Sequence, residues 1–412
     1  MQQKSYLLVG GNFINKGAEA MLKTVKYKLE EKHPGAAIYC ICHPEERTIA
    51  AKQGFIPITD TTPPLLKKIQ NLADRVIGKL KRMMGGSGKP YADYSPMNEI
   101  KKIKNLAAAI DVSGFAYGDK RGYQQPLETT KIIHFCKQTG ARYLFMPQAW
   151  GSFKEPQVAK NCRNMILTAD AYFTRDDVSR SYVADLLQLK TEDIPLACDI
   201  AFHFPIPTIS GKEILKKNNI SLDARLLTVG ISPNMRIYER MKGSGADNEY
   251  VKNFCSIIKD LQQRFEIILV PNEILPGEGV DHADDQFLCK TIYEALPDKT
   301  HCHLLKGYYS AEEVKAVIRE TDLLIASRFH SLVFALSLGI PCMAISWSHK
   351  YRELFKLFGL EEYVLEDKGT GTAHILETFE KLFNNRAEVA QVIQTRLPVL
   401  KDSNKHVFDL FN

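Results

Sequence analysis

The pattern of apolar positions along the chain alternates between two periods. Short apolar runs, of the length of buried parallel strands, are separated by longer segments in which apolar residues recur at helical spacing. The strands predicted in the first half are residues 6–9, 37–42, 55–58, 110–113, 142–146 and 171–174. Those predicted in the second half are residues 226–231, 265–270, 301–305, 322–326 and 341–346. This alternation of strands and helices predicts an α/β fold built on parallel sheets.

The length of the chain indicates two domains. Its 412 residues exceed what one ordinary hydrophobic core organises. We expect a Rossmann-like domain at 1–203, a second at 204–371 after a proline-bearing linker, and C-terminal helices at 372–412 that pack near the junction. Two such domains with the carboxyl edges of their strands facing a cleft form the arrangement called GT-B. The predicted fold class is therefore α/β and GT-B-like.

The stretch 321–352, TDLLIASRFHSLVFALSLGIPCMAISWSHKYR, concentrates the features of a ligand site. A buried strand runs into Arg328 and His330, a fully apolar helix begins near Ser331, and Gly339 with Pro341 ends that helix. Helix N-termini at the carboxyl ends of parallel strands bind anions, and Arg matches phosphate or carboxylate. The predicted ligand is a phosphorylated anion. In the alternative reading, Arg328 is a surface charge and His330 a satisfied polar residue under a loop.

Polar side chains also follow the predicted strands of the first half, after a glycine-bearing loop and two further turns. They are Asn12, Asn15, Lys16, Gln148 and Asp176. Such donors and acceptors suit sugar hydroxyls, and Lys16 also suits an anion. The alternatives are that the glycine loop only turns the chain and that Asp176, with Ser179, caps a helix; for Asp176 we favour the cap.

Five segments resemble motifs of the polysaccharide pyruvyl transferase family, in the same order. They are VGGNFINKGAEAML, PQAWGSF, TRDDVSRSYV, GYYSAEEVKAVI and SRFHSLVFALSLGIPCMAISWSHKYREL. The last resembles the family's C-terminal signature, with an R-x-H turn, an apolar helix, a GxP and a downstream Lys. The chain departs from the family pattern at Ala18-Glu19, where many members carry Gly-Asp, and at Pro271-Asn272-Glu273, where a PHE-like sequence is common.

The resemblance implies an enzyme that transfers the pyruvyl group of phosphoenolpyruvate onto two sugar hydroxyls, forming a cyclic ketal and releasing phosphate. Phosphoenolpyruvate is then a co-substrate, and no cofactor or metal is expected. The expected donor-binding residues are Asn234, Arg236, Arg328, His330, Ser331 and Lys350. Arg328 and Ser331 are assigned to the phosphate and Arg236 to the carboxylate. His330 or Lys350 would protonate the methylene carbon, and Glu19 or Glu273, the latter also an acceptor-binding candidate, would serve as base.

Residues 63–84, PPLLKKIQNLADRVIGKLKRMM, interrupt the α/β alternation within an insertion at 63–88. Apolar residues recur there at helical spacing among basic ones, which is typical of a helix on an anionic membrane surface, although the apolar stripe could equally pack on the domain. If this segment binds a membrane, we expect a lipid-linked acceptor such as a polyprenyl-diphosphate precursor of capsule or exopolysaccharide. We expect the protein in the cytoplasm and, if this segment binds membrane, peripheral on the inner face of the cytoplasmic membrane.

Composition narrows the remaining alternatives. With 45% hydrophobic and 25% charged residues and a net charge of +6, the chain has the composition of a globular enzyme and lacks the basic stripe of a nucleic-acid-binding protein. The acidic loop around 281–285 has no standard metal-binding spacing and is expected to be solvated. Two other functions stay open: a glycosyltransferase that uses a nucleotide sugar, and a non-catalytic carbohydrate-binding protein. The joint presence of Arg328, His330 and Lys350 argues against the second.

Overall fold

The computed structural model describes residues 3–59, 96–276, 284–367 and 369–412. The predicted basic helix at 63–84 lies outside these residues, as do Asp281 and His282 of the acidic loop. The chain divides into two compact units. Unit 1 comprises Met1–Asn12, Val25–Asp199 and Val407–Asn412, and unit 2 comprises Phe13–Thr24 and Ile200–His406.

These units differ from the predicted domains in three places. Unit 2 begins at Ile200 rather than at 204, because the turn Ile200–His203 is apolar and Phe202 packs against Phe358, with ring centroids 5.9 Å apart. Of the predicted C-terminal helices at 372–412, only Val407–Asn412 belongs to unit 1. Near the N-terminus, Phe13–Thr24 belongs to unit 2, so the first helix, α1 (Lys16–Lys32), begins in one unit and ends in the other.

The sheet of unit 1 is parallel, with the strand order β3-β2-β1-β4-β5. Its strands are β1 (Ser5–Val9), β2 (Ala37–Ile41), β3 (Ile56–Ile58), β4 (Leu106–Asp111) and β5 (Arg142–Phe145). Its helices include α2 (Arg47–Lys52), α3 (Met97–Ile100), α4 (Gln124–Thr139), α5 (Pro156–Thr168) and α6 (Asp177–Leu187). The strand predicted at 171–174 forms only isolated bridges: Leu144 with Ala171, and Thr174 with Gln148 and with Leu196.

The sheet of unit 2 is also parallel, with the order β11-β10-β9-β6-β7-β8. Its strands are β6 (Leu227–Ser232), β7 (Phe265–Leu269), β8 (Cys302–Leu304), β9 (Leu323–Ala326), β10 (Cys342–Ser346) and β11 (Val364–Glu366). Its helices include α7 (Gly211–Lys217), α8 (Met235–Tyr238), α9 (Glu249–Leu261), α10 (Asp285–Ala295), α11 (Ala311–Arg319), α12 (Phe329–Leu338), α13 (Lys350–Lys356), α14 (Thr372–Asn384) and α15 (Arg386–Asp402). The last helix, α16 (Lys405–Asp409), begins in unit 2 and ends in unit 1. The short edge strand β11 was not predicted.

Helix α12 is the buried helix of the sequence prediction. It begins at Phe329, with Arg328 at the N-cap position, and ends at Gly339, whose φ of 78° is the left-handed conformation that glycine adopts without strain. Side chains from Phe329 to Ser337 are buried apart from His330, so the helix packs on all sides and holds the Arg328 turn rigidly at the end of β9. In the described parts of the chain, no helix has the length and apolar character needed to cross a membrane.

Candidate functional site

A buried ion cluster holds the carboxyl edge of the unit 2 sheet. The Nη1 and Nη2 atoms of Arg328 lie 2.6 Å from Glu273 Oε2 and 2.6 Å from Asp285 Oδ1. Asp285 is 0% exposed and also accepts hydrogen bonds from the backbone N–H groups of Met235 (3.1 Å), Asn272 (3.2 Å) and Glu273 (2.8 Å). One carboxylate therefore ties together the segments that follow β6, β7 and β9.

The charges within this cluster compensate one another. Burial raises the pKa of Asp285, and the neighbouring Arg328 works against that shift. Burial likewise opposes the charge of Arg328, but Asp285 and Glu273 outweigh it and raise the pKa of the guanidinium. Burial raises the pKa of the adjacent Asp284 to about 6. Asp284 and Asp285 are 1% and 0% exposed, so the prediction of a solvated loop is wrong for both residues. Asp284 caps the N-terminus of α10, and Asp285 pairs with Arg328.

The N-terminal loop docks on this same edge of unit 2. The backbone N–H of Lys16 donates to the Asn272 carbonyl (3.0 Å), and that of Ile274 donates to the Ile14 carbonyl (2.9 Å). A methyl group at Gly17 would lie 1.8 Å from Cγ of His330, so the backbone of this loop covers the imidazole directly. Only glycine at position 17 permits that approach.

Glu19 lies in the same loop region, fully buried between two lysines. Its carboxylate oxygens are 3.1 Å from Lys16 Nζ and 2.8 Å from Lys23 Nζ, and Lys23 also pairs with Glu312. The Lys16 ammonium lies 4.1 Å from the centroid of the Tyr308 ring. A carboxylate with 0% exposure and two ammonium partners is poorly placed to accept a proton from a sugar, so this arrangement favours a structural role over the predicted role as base.

Among the residues predicted to bind the donor substrate, Asn234 and Ser331 make hydrogen bonds within the protein. The Asn234 side chain donates to the Ser327 carbonyl (2.7 Å) and accepts from the Arg236 N–H (2.9 Å) at the start of α8. The Ser331 hydroxyl is buried 2.8 Å from that of Ser232. By contrast, the side chain of Arg236 is 45% exposed, and its Nη2 atom lies 3.7 Å from a carboxylate oxygen of Glu273.

Lys350 lies at the start of α13 among aromatic rings. Its ammonium is 5.1 Å from the ring centroid of Phe329, 4.9 Å from that of Trp347 and 5.5 Å from that of Tyr351. Ring faces attract cations, so these three rings help to hold the ammonium in place. The Tyr351 hydroxyl in turn donates to the Ser327 carbonyl (2.7 Å), which anchors the rings to the end of β9.

The predicted acceptor residues divide between the units. In unit 1, the carboxamide of Gln148 is buried, and neither of its polar atoms has a hydrogen-bond partner among the described residues. Asp176 caps α6 by accepting from the Ser179 N–H (2.7 Å), which confirms the favoured reading for that residue. Asn12 lines a cavity of about 300 Å³. Asn15, Lys16 and Glu273 instead belong to unit 2, where Asn15 and Glu273 form a backbone bridge.

Comparison with known proteins identifies the family. The model of the family described as polysaccharide pyruvyl transferase matches residues 15–349, which is most of the chain. The chain belongs to this family. The family match includes the Gly17 loop, the Arg328 cluster and His330, and it ends just before Lys350. The predicted family and enzyme class, a polysaccharide pyruvyltransferase, are thereby confirmed.

One relative in sequence and two solved structures are similar to this chain. The amylovoran biosynthesis protein AmsJ of Erwinia amylovora is 21% identical over 403 residues, which cover 94% of each chain. Among solved structures, a UDP-GlcNAc 2-epimerase from Neisseria meningitidis is 12% identical and has a TM-score of 0.57 over 99% of this chain and 100% of its own. A UGT transferase from Siraitia grosvenorii is 10% identical, with a TM-score of 0.53 over 99% and 100%. With the two parallel sheets, these likenesses confirm the predicted α/β, GT-B-like fold class.

The ion cluster generates a prediction about stability. The change Asp285→Asn removes the charge that compensates Arg328 and disturbs the backbone donors, so we expect it to lower the free energy of unfolding by roughly 3–5 kcal/mol. Denaturant titration of the purified variant measures this loss. The exposed pair of Asp247 with Lys252 supplies the control, since Asp247→Asn is expected to cost less than about 1 kcal/mol. Equal stability of the two variants would contradict the central role of Asp285.

The contact of Gly17 with His330 generates a second prediction. A methyl group at position 17 must displace the imidazole or the loop, so we expect Gly17→Ala to shift the ring NMR signals of His330 and to reduce pyruvyl transfer about 100-fold. Histidine ring spectra, assigned with a His330→Gln variant, measure the displacement. Gly371→Ala is the matched control, because nothing lies within 4 Å of a methyl group there. Unchanged His330 signals in Gly17→Ala would refute the contact.

Proposed function

We propose that this enzyme transfers the pyruvyl group of phosphoenolpyruvate onto two hydroxyls of one sugar in an exopolysaccharide precursor. Its family and its similarity to a protein named for amylovoran biosynthesis support the polysaccharide product. The observation that carries the donor assignment is the group of basic side chains at one sheet edge of unit 2. Arg236 and Lys350 flank a turn that holds His330 and the buried Arg328. A donor with both a phosphate and a carboxylate requires several cations of this kind.

The side chains then take separate roles. Arg236, with its exposed guanidinium, binds the carboxylate, and the Lys350 ammonium binds the phosphate. Arg328 has both Nη atoms on carboxylates, so it acts mainly as a positioning residue that keeps its Nε–H for the donor. This revises its assignment from sequence as the main phosphate ligand. His330 is the general acid, because an imidazole exchanges a proton near neutral pH.

The proposed reaction uses these roles in sequence. His330 donates a proton to the methylene carbon of phosphoenolpyruvate, the double bond is consumed, and the central carbon becomes electrophilic. A sugar hydroxyl forms a C–O bond to that carbon and loses its proton. The second hydroxyl forms the other C–O bond as the bond from carbon to the phosphate oxygen breaks, and phosphate leaves with the electron pair. Of the two hydroxyl protons, one restores His330 and the other leaves on the phosphate.

Thermal unfolding tests the donor. We expect phosphoenolpyruvate to stabilise the protein more than inorganic phosphate or UDP-sugars do, by about 2.7 kcal/mol at one hundred times its Kd. Arg236→Ala and Lys350→Ala should each reduce this stabilisation, whereas Arg225→Ala, at a side chain that is 88% exposed elsewhere in unit 2, should leave it unchanged. Stabilisation by a nucleotide sugar but not by phosphoenolpyruvate would instead favour a glycosyltransferase. Stabilisation by neither would favour a carbohydrate-binding protein without turnover.

The lipid linkage of the acceptor rests on the sequence of residues 63–84, outside the described residues. We propose that this basic amphipathic segment binds the anionic membrane surface that carries the acceptor. Deletion of residues 63–88 should then reduce co-sedimentation with anionic vesicles and transfer to a polyprenyl-diphosphate-linked sugar, while transfer to a water-soluble analogue persists. Equal loss of transfer to both acceptors would exclude this role.

A further inference from the structure

The cavity of about 300 Å³ in unit 1 has no assigned role. It opens at the carboxyl edge of the unit 1 sheet, where residues 10–12 follow β1, residues 42–43 follow β2 and residues 113–116 follow β4. The first turns of α4 close the remaining side. Ligands of parallel α/β sheets bind at this edge of the strands. Of the acceptor residues predicted from sequence, Asn12 is the one that lines the cavity.

Buried contacts fix the cavity walls before any ligand binds. Asp111 is 0% exposed and accepts hydrogen bonds from the Ser113 N–H (2.9 Å) and from the hydroxyls of Tyr117 (2.6 Å) and Tyr143 (2.9 Å). Gly10 has a φ of 83°, and a methyl group there would lie 1.8 Å from the Ser113 hydroxyl oxygen. The loop that carries Ser113 and Phe115 is therefore held in place from two sides, as is typical of a preformed binding site.

The chemistry of the lining suits a sugar. Phe115 supplies an aromatic face, with the Arg121 guanidinium 6.0 Å from its centroid. Planar polar side chains also line the cavity: Asn12, Gln124, Gln125 and Glu128. Arg121 and Glu128 bring charges of opposite sign to the lining, and Glu128 is also paired with Lys131. An aromatic face for the C–H side of a ring, with amide and carboxylate groups for its hydroxyls, is what a pyranose requires.

We propose that this cavity binds one pyranose ring of the glycan acceptor, a neutral hexose or N-acetylhexosamine. The volume lies at the lower end of small-molecule pockets, roughly 300–1,000 Å³, which suits one ring rather than a longer oligosaccharide. The ring packs on Phe115, and its hydroxyls bond to Arg121, the α4 amides and Glu128. The inference relies on the proposed function only in identifying the sugar as part of the acceptor.

Saturation-transfer NMR tests this site with methyl glycosides of glucose, galactose, mannose and N-acetylglucosamine, and with methyl glucuronide as the anionic comparison. We expect at least one neutral glycoside to bind the full-length protein at millimolar concentrations. Phe115→Ala should weaken that binding at least about tenfold, equivalent to 1.4 kcal/mol, and Phe115→Tyr should restore it because the aromatic face returns. Gln125→Ala should weaken binding, whereas Gln263→Ala, at an exposed glutamine of unit 2, should not.

The outcomes separate this inference from the proposed donor. Failure of every neutral glycoside to bind, exclusive binding of the glucuronide, or equal binding by wild type and Phe115→Ala would each overturn the site. Stabilisation by phosphoenolpyruvate, measured on the same variants, should not change, because the altered side chains lie in unit 1 and the proposed donor residues in unit 2. Sugar binding without any effect of phosphoenolpyruvate would leave the cavity assignment standing and reject the donor.

Discussion

The candidate site at the carboxyl edge of the unit 2 sheet depends on one buried carboxylate. Asp285 binds the Arg328 guanidinium and three backbone N–H groups, which fixes the segments after three strands of the sheet relative to each other. A buried arginine is tolerable only with compensating charge, and Glu273 completes that compensation. This arrangement positions the side chains of the candidate site, because Arg236, Arg328 and His330 all extend from segments that the cluster holds in place.

The second constraint on this edge is the docking of Phe13–Thr24. This segment is close in sequence to unit 1, yet its backbone bonds to Asn272 and Ile274 of unit 2 and covers His330 through Gly17. The buried charges of Lys16, Glu19 and Lys23 anchor it. The glycine-rich loop of this chain thus builds the surroundings of the imidazole, and the departure from the family pattern at Ala18-Glu19 falls in that anchor.

The two sheet edges carry different chemistry. The edge of unit 2 carries the exposed Arg236 side chain and the Lys350 ammonium beside the Arg328 turn, and such cations suit the proposed donor with its phosphate and carboxylate. The cavity at the edge of unit 1 is lined by charges of both signs, by amides and by one aromatic ring. This difference supports the proposal that unit 2 binds the anionic donor and that unit 1 binds the glycan.

Sequence analysis was enough to predict the α/β class, the parallel strands and the Arg328–His330 turn, because these depend on local periodicity and on the short apolar runs around them. Its motifs also identified the family. It missed Asp285, which looked like part of a solvated acidic loop; an acid pair directly before the apolar spacing of α10 was the one available signal. The folded chain was needed to show that Glu273 pairs with Arg328, that Glu19 is buried with its two lysines, and that Phe13–Thr24 belongs to unit 2. The first and the last of these join residues distant in the chain. Glu19 lies only three and four residues from its lysines, but the burial of this group does not exist before the sheets form.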